Sequence, residues 1–172
     1  MPILNRLFAR RRDPREALRP LWHRVVEISR EPEWYAACGV ADTVPGRFDM
    51  ITAVLALALL RLERDGDCAA ESAWLTELFV EDMDGQLRES GVGDLVVGKH
   101  IGKLMASLGG RLGAYRAALK ETEEGALENA AARNVTLVEG HGPQALARRL
   151  RAFAGQIDGL STAALLQAEV PR

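Results

Sequence analysis

The stretch from Gly93 to His100 comes closest to a chemical motif, because it nearly matches the phosphate-binding loop G-x4-G-K-[S/T]. In that loop a hydroxyl after the lysine binds Mg²⁺, and here His100 stands in its place. The motif also needs a preceding β-strand, whereas the residues before it have helical periodicity. Gly91 and Gly93 fail the dinucleotide-binding pattern as well, since Val96 occupies the third glycine position. We therefore do not expect nucleotide binding.

An acidic run, Glu81-Asp82-Met83-Asp84, raises the question of a metal site. On a helix Glu81 and Asp84 share one side while Asp82 points elsewhere, and hard cations require more converging oxygen ligands. We expect a solvated acidic face and no metal. Asp82 should be partly desolvated beside the apolar side of its helix, so it needs a partner such as an arginine.

Nucleophilic catalysis finds no support in the sequence. No Gly-x-Ser-x-Gly motif occurs, and neither Cys38 nor Cys68 lies in a recognisable nucleophile context. The three histidines lack the spacing of zinc or haem ligands. We expect no catalytic residues and no cofactor, so the protein is not predicted to be an enzyme. Two cysteines are too few for a disulfide framework and are interpreted as reduced thiols of a cytoplasmic protein.

Charge is distributed unevenly along the 172 residues. Residues 1–30 hold eight arginines against three acids, while the remainder holds 14 basic and 21 acidic residues, and the net charge is −2. This balance argues against a bulk nucleic-acid binder, so no nucleic-acid sequence readout is expected. Hydrophobic residues make up 48% of the chain, which is enough to bury a substantial core.

Residues 1–12 are predicted to form a basic amphipathic arm ahead of a helical domain at 13–172. Its candidate membrane-surface residues are Ile3, Leu4, Leu7, Phe8, Arg10, Arg11 and Arg12. One interpretation is weak docking on an anionic membrane surface. Because short helices are marginal on their own, the other interpretation is an arm folded on its own domain or on a partner.

Helical periodicity dominates the remaining sequence, and no convincing alternating strand is present. We predict an all-α fold, a single-domain irregular helical bundle of about six to eight helices. The central predicted helix, Pro45 to Asp65, contains the longest uncharged apolar run, Met50 to Leu60. That run spans roughly 16 Å as a helix, about half the hydrocarbon core of a bilayer, so it is predicted to be buried in protein. Another helix should run from about Val96 to Lys120.

A stripe of slim residues follows the Val96–Lys120 helix, at Gly98, Gly102, Ala106, Gly109 and Gly113. Each interior glycine costs roughly 1 kcal/mol relative to alanine, so close approach of another backbone should compensate. The simpler interpretation is packing inside the chain against the Met50–Leu60 helix, whose alanines are equally slim. The alternative is a shallow groove for the helix of a partner.

Several segments from Arg47 onward resemble the ubiquinol–cytochrome c chaperone family. They are RFDM at 47–50, FVEDMD at 79–84 and LRESGVGDL at 87–95, followed by Val97, Lys99, Gly110-Arg111 and Tyr115. The resemblance covers roughly residues 20–155. Mitochondrial members of the family are cytochrome b assembly factors. This sequence lacks their long N-terminal extension, and it has Gly98 where proline is common before the lysine.

The resemblance implies an all-helical, non-enzymatic assembly factor that binds cytochrome b, or its nascent chain, during assembly of the cytochrome bc1 complex. It further implies a small partner protein and, as in mitochondria, ribosome association. The alternative function is a peripheral membrane adaptor or a small-molecule-binding helical protein with no role in bc1 assembly. We expect a cytoplasmic monomer, peripheral at the inner face of the cytoplasmic membrane, with a dimer through the slim stripe as the alternative.

Two adjoining elements form the predicted partner-binding surface. One is an acidic helix face with the turn that follows it, and the other is the slim start of the next helix, for which Asp94 is the predicted N-cap. The residues assigned to this surface are Glu77, Glu81, Asp82, Asp84, Gly91, Gly93, Asp94, Val97, Lys99, His100 and Lys103.

Overall fold

The computed structural model describes residues 13–89, 94–121 and 124–171, and within them the fold is all-α, as predicted. A 3₁₀ turn at Pro14–Leu18 leads into the first helix. The α-helices are α1 (Arg19–Ser29), α2 (Pro32–Ala36), α3 (Val44–Glu63), α4 (Ala69–Glu89), α5 (Asp94–Lys120), α6 (Glu124–Asn134), α7 (Gln144–Asp158) and α8 (Thr162–Leu166). The β-structure of the described ranges is a single antiparallel bridge between Val40 and Leu137.

Helix α3 is the centre of the molecule. Thr43 caps its N-terminus by accepting a hydrogen bond from the Gly46 amide at 3.3 Å. Every residue from Met50 to Leu59 is buried, as the uninterrupted apolar run predicts. The chain leaves the helix after Glu63 and turns at Gly66, whose φ of +73° favours glycine. Among the described residues, no helix has the length and apolarity needed to cross a membrane.

Helices α1, α4, α5 and α7 pack around α3. Helix α1 contributes Leu21, Trp22, Val25 and Ile28 to the core, which are spaced as one face of a helix. Helix α4 buries Leu75, Leu78, Phe79 and Met83 in the same way. The Phe79 ring packs edge-on against Trp22, with 6.0 Å between ring centroids. In α1 and α4, the amphipathic period therefore decides which face of the helix packs against α3.

The first described residues are fixed by an N-cap. Asp13 accepts a hydrogen bond from the Arg15 amide at 3.0 Å, and the Arg15 guanidinium contacts the same carboxylate at 2.6 Å. This side-chain hydrogen bond lowers the pKa of Asp13 to about 2. An aspartate before a proline is a typical helix start, and here Asp13 caps a first turn that is a 3₁₀ turn.

Candidate functional site

Helix α4 presents the predicted acidic residues on one face. Glu77, Glu81 and Asp84 are spaced one and two turns apart, and they line the same groove between α4 and α5. Arginines of the N-terminal segment meet this face. The Arg15 guanidinium lies 3.5 Å from the Glu81 carboxylate and 3.9 Å from that of Glu77, and Arg19 lies 3.8 Å from Glu81. Part of the acidic charge is thus already paired within the chain.

Asp82 points to the other side of α4, as predicted. It lies in a groove between α1 and α4 that Arg19 and Arg30 also line. The Gln86 side-chain amide donates a hydrogen bond to the Asp82 carboxylate at 3.5 Å. The sequence had led us to expect an arginine as the partner. The half-buried position of Asp82 allows water to satisfy the remaining lone pairs, so a neutral donor is sufficient here.

The start of α5 is described mainly as backbone. Asp94, predicted as the N-cap, is the first helical residue, so the helix begins two residues before the expected Val96. His100 is half-buried and Lys103 is exposed. Gly91 and Gly93 lie outside the described residues, as do the side chains of Asp94, Val97 and Lys99, and so does the whole predicted arm at 1–12.

Among the described residues, an apolar groove of about 1220 Å³ lies between α2, α3, α4 and the first half of α5. We call it the apolar groove. Its apolar lining consists of Tyr35, Ala36, Val44, Pro45, Phe48, Ile51, Met83 and Leu104, and its polar border consists of Arg30, Asp42, Arg47, Gln86 and His100. Val44 is 84% exposed, so apolar surface here faces solvent. Of the predicted site residues with described side chains, His100 lines this groove.

A second depression of about 680 Å³ lies on the opposite side of the α4–α5 contact, and we call it the acidic groove. Its apolar lining consists of Leu59, Val80, Ile101, Met105 and Leu112, and its acidic lining consists of Glu63, Glu77, Glu81 and Asp84. Met105 is 43% exposed. The predicted site residues with described side chains are therefore divided among three grooves rather than gathered in one.

The slim stripe of α5 faces solvent along its described part. Gly102, Ala106, Gly109 and Gly113 are exposed, and a Cβ atom built on any of the three glycines meets no atom within 4 Å. The expectation that this stripe packs against α3 is therefore wrong. Helix α5 meets α3 through the neighbouring face, which buries Leu108, Arg111, Tyr115 and Ala118. The stripe adjoins that apolar face, and sequence spacing alone did not separate the two.

A buried ion pair between Asp49 of α3 and Arg111 of α5 is the polar centre that sequence reasoning missed. The second Asp49 oxygen accepts hydrogen bonds from the Thr136 amide at 2.9 Å and the Thr136 hydroxyl at 2.7 Å. The Arg111 guanidinium also donates to the Asn134 carbonyl at 3.0 Å and lies over the Phe48 ring at 5.6 Å. These contacts join α3, α5 and the loop after α6.

The signal for this pair was present in the sequence. Asp49 belongs to the RFDM segment and Arg111 to the Gly-Arg segment that carried the family resemblance. The two residues lie in different segments of the family resemblance. A charged residue inside an apolar helix nevertheless needs a partner, which each of them provides for the other. Asp49 and Arg111 are 62 positions apart in the sequence. Local periodicity does not indicate which distant residue a carboxylate contacts, so the sequence did not predict this pair.

Both cysteines are free and buried. Burial raises the pKa of the Cys38 and Cys68 thiols, which keeps both protonated and weakly nucleophilic at neutral pH. Across the described ranges, no three histidine, cysteine or acidic side chains come close enough together to hold a metal ion. The described surface includes the large apolar groove and the smaller acidic groove.

Known proteins resemble the chain over nearly its whole length. A family model described as ubiquinol-cytochrome C chaperone matches residues 36–171, which include α3 to α8 in full. Among solved structures, the crystal structure of the Cbp3 homolog from Brucella abortus is similar, with 30% sequence identity and a TM-score of 0.79. That match covers 98% of this chain and 95% of the other. Comparison with curated proteins finds no significant match.

Proposed function

Because the chain belongs to the ubiquinol–cytochrome c chaperone family, we propose that it binds cytochrome b, or its nascent chain, during assembly of the cytochrome bc1 complex. Family membership makes the protein a chaperone with a client. The choice of cytochrome b as that client is our inference. The observation that carries it is the apolar groove, which leaves a large apolar surface open in a chaperone of this family.

The apolar groove suits a membrane-protein client. A transmembrane helix satisfies its own backbone hydrogen bonds and exposes apolar side chains, which need cover until they reach lipid. Val44, Phe48 and Leu104 offer such cover along the walls of the groove. The charged border, where Arg47 pairs with Asp42 at 2.6 Å, supplies polar contacts for the loops that flank such a helix.

We further propose that α4 and α5 contribute the predicted client-binding residues. Helix α5 lies between the two grooves, with His100 beside the apolar groove and the exposed Lys103 one turn further on. Glu77, Glu81 and Asp84 border the acidic groove, where charge selects among partners more than it adds affinity. The client would therefore bind across α5, with its apolar segment in the apolar groove.

Family membership also supports a non-enzymatic role, and the buried thiols agree with it. A client that is inserted into a membrane places its chaperone at the membrane surface. We therefore propose peripheral association at the cytoplasmic face of the membrane, with a small partner protein and the ribosome as further contacts. In this proposal the client brings the chaperone to the membrane.

The test is co-purification of cytochrome b with the tagged, full-length chain from membranes of cells that make the bc1 complex. Val44→Glu should reduce capture several-fold, because it places a charge in the apolar groove. The fold should survive, since Val44 is 84% exposed and an acid in the first turn of α3 interacts favourably with the helix dipole. Val138→Glu is the matched control, because Val138 is an exposed valine in the loop before α7, away from the groove.

Two results would count against the proposal. If wild-type protein captures no cytochrome b, and deletion of the gene leaves the level of assembled bc1 complex unchanged, then cytochrome b is not the client. If Val44→Glu and Val138→Glu capture equal amounts of cytochrome b, the apolar groove is not the docking surface. A peripheral membrane adaptor would instead bind lipid vesicles without any effect on cytochrome b.

A further inference from the structure

The acidic groove combines an apolar floor with carboxylates on its walls. Val80, Ile101 and Met105 form part of the floor, and Met105 remains 43% exposed. The Glu77 and Glu81 side chains are 57% and 50% exposed, so their carboxylates have room for further cations beyond the two arginines that already approach them. Such a groove fits an amphipathic segment that carries both apolar and basic side chains.

The N-terminal segment enters the described structure at this groove. Arg15 lines the acidic groove, and its guanidinium contacts Glu81 at 3.5 Å and Glu77 at 3.9 Å. The Asp13 cap holds the backbone just before it. Asp13 and Arg15 therefore place the chain at the wall of the groove directly after residue 12.

The length of this segment matches the groove. The groove-lining part of α4 runs from Ser72 to Asp84, a rise of about 18 Å along the helix axis. The twelve residues before Asp13 span about 18 Å in the same conformation. A helix of this length is therefore comparable to the groove-lining part of α4.

The composition of the segment also matches the groove. In a helix Ile3, Leu4, Leu7 and Phe8 form one apolar face, and the segment carries four arginines and no acid. The apolar face complements the floor at Ile101 and Met105, and the arginines complement the exposed carboxylates of Glu77 and Glu81. An isolated helix of this length is marginal in water, so it gains from a surface that supplies its missing contacts.

We propose that residues 1–12 dock as an amphipathic helix in the acidic groove and act as a built-in ligand of it. This goes beyond the proposed function, in which the apolar segment of the client lies in the apolar groove and the acidic face of α4 contacts the client. The arm occupies the acidic groove in the absence of client. Docking covers Met105 and holds the apolar side chains of the arm away from membranes. The arm then becomes available to another surface only when it leaves the groove.

The first experiment measures proximity in the full-length chain. A spin label on Asn5→Cys should broaden the amide signals of Val80, Ile101 and Met105 more strongly than those of α7. The native cysteines are buried and escape labelling. Leu7→Asp in the labelled chain should abolish this selective broadening, whereas Ala9→Asp, with the same charge on the opposite side of the predicted helix, should preserve it. Absence of selective broadening in the labelled parent would overturn the proposal.

The second experiment separates docking from membrane binding, using flotation with vesicles of phosphatidylcholine and phosphatidylglycerol. Glu77→Gln with Glu81→Gln should increase the floated fraction several-fold over wild type, because weaker docking frees the arm. Both side chains are half-exposed, so the fold should persist. Glu27→Gln with Asp158→Asn removes two exposed, arginine-paired charges outside both grooves and should cause a smaller increase.

The opposite pattern identifies the arm as a membrane anchor. In that case wild-type protein floats, Leu7→Asp abolishes flotation, and the Glu77 and Glu81 substitutions change it no more than the control pair does. This result would overturn the proposal even if cytochrome b still co-purifies. Failure of the arm to dock is therefore distinguishable from failure of the proposed client.

Discussion

At the residue scale, the Asp49–Arg111 pair decides how α5 is held on α3. Both side chains are about nine-tenths buried, and each has hydrogen bonds beyond the ion pair itself. Burial of two charges is costly, and it is compensated only where geometry and extra hydrogen bonds are complete. The pair therefore specifies one arrangement of α3, α5 and the loop after α6, and each partner depends on the other.

We predict that Asp49→Ala lowers the free energy of unfolding by about 3–5 kcal/mol, because it leaves the Arg111 guanidinium buried without its carboxylate. Denaturant unfolding followed by circular dichroism measures this loss. Asp42→Ala is the matched control, since Asp42 is also paired with an arginine, Arg47, but both side chains are about 60% exposed. It should cost no more than about 1 kcal/mol. Equal losses in the two variants would contradict a special role of the buried pair.

Tyr115 is a second residue whose environment leads to a prediction. Its side chain is fully buried, burial raises the pKa of its hydroxyl, and among the described atoms that hydroxyl has no hydrogen-bond partner. Tyr115→Phe should leave the melting temperature unchanged or raise it, because it removes an unsatisfied polar atom while keeping the ring. A clear fall in melting temperature would mean that the hydroxyl is hydrogen-bonded in solution.

At the scale of elements, α5 has two faces with different tasks. Its buried face packs Leu108, Tyr115 and Ala118 toward the core, and its slim stripe lies open to solvent. Exposed glycines inside a helix weaken it without any packing in return from this chain. The stripe therefore does not stabilise the isolated protein. It is exposed on α5, the helix that lines both grooves proposed to bind partners.

We predict that Gly109→Ala raises the free energy of unfolding by up to about 1 kcal/mol, because alanine favours the helix and the added methyl group meets no neighbour. Thermal unfolding measures the gain. Gly46→Ala provides the contrast, because a Cβ atom there would collide with the carbonyl oxygen of Ala41, and it should be destabilising. Destabilisation by Gly109→Ala would show that the stripe packs against protein in solution.

The extent to which sequence predicted these elements differs between helix positions and helix contacts. The apolar periods placed α3 and α5 to within a few residues, because that period is a local property of the chain. The same periods could not decide which of two adjoining slim or apolar stripes of α5 would be buried. That choice depended on Asp49 and the Asn134 carbonyl, which hold Arg111 and so fix the rotation of α5.

At the scale of the whole molecule, the uneven charge of the sequence becomes a contact inside the fold. Arg15 and Arg19 of the basic N-terminal part lie against Glu81 of α4. The separation of basic and acidic residues along the chain is therefore partly cancelled in three dimensions. Apolar surface is accessible in the two grooves, one on each side of the α4–α5 contact.

The sequence by itself determined the helical class, the central position of α3 and the acidic face of α4, because each follows from the spacing of residues one or two turns apart. The family resemblance, carried by short segments of the same chain, indicated a chaperone, and the family match supports it. Only the tertiary structure decided that the slim stripe is exposed, that Asp49 meets Arg111 and that the acidic face borders one groove and His100 another. These features depend on contacts between residues far apart in the chain, where the free energy is set by the burial of paired groups and not by local periodicity.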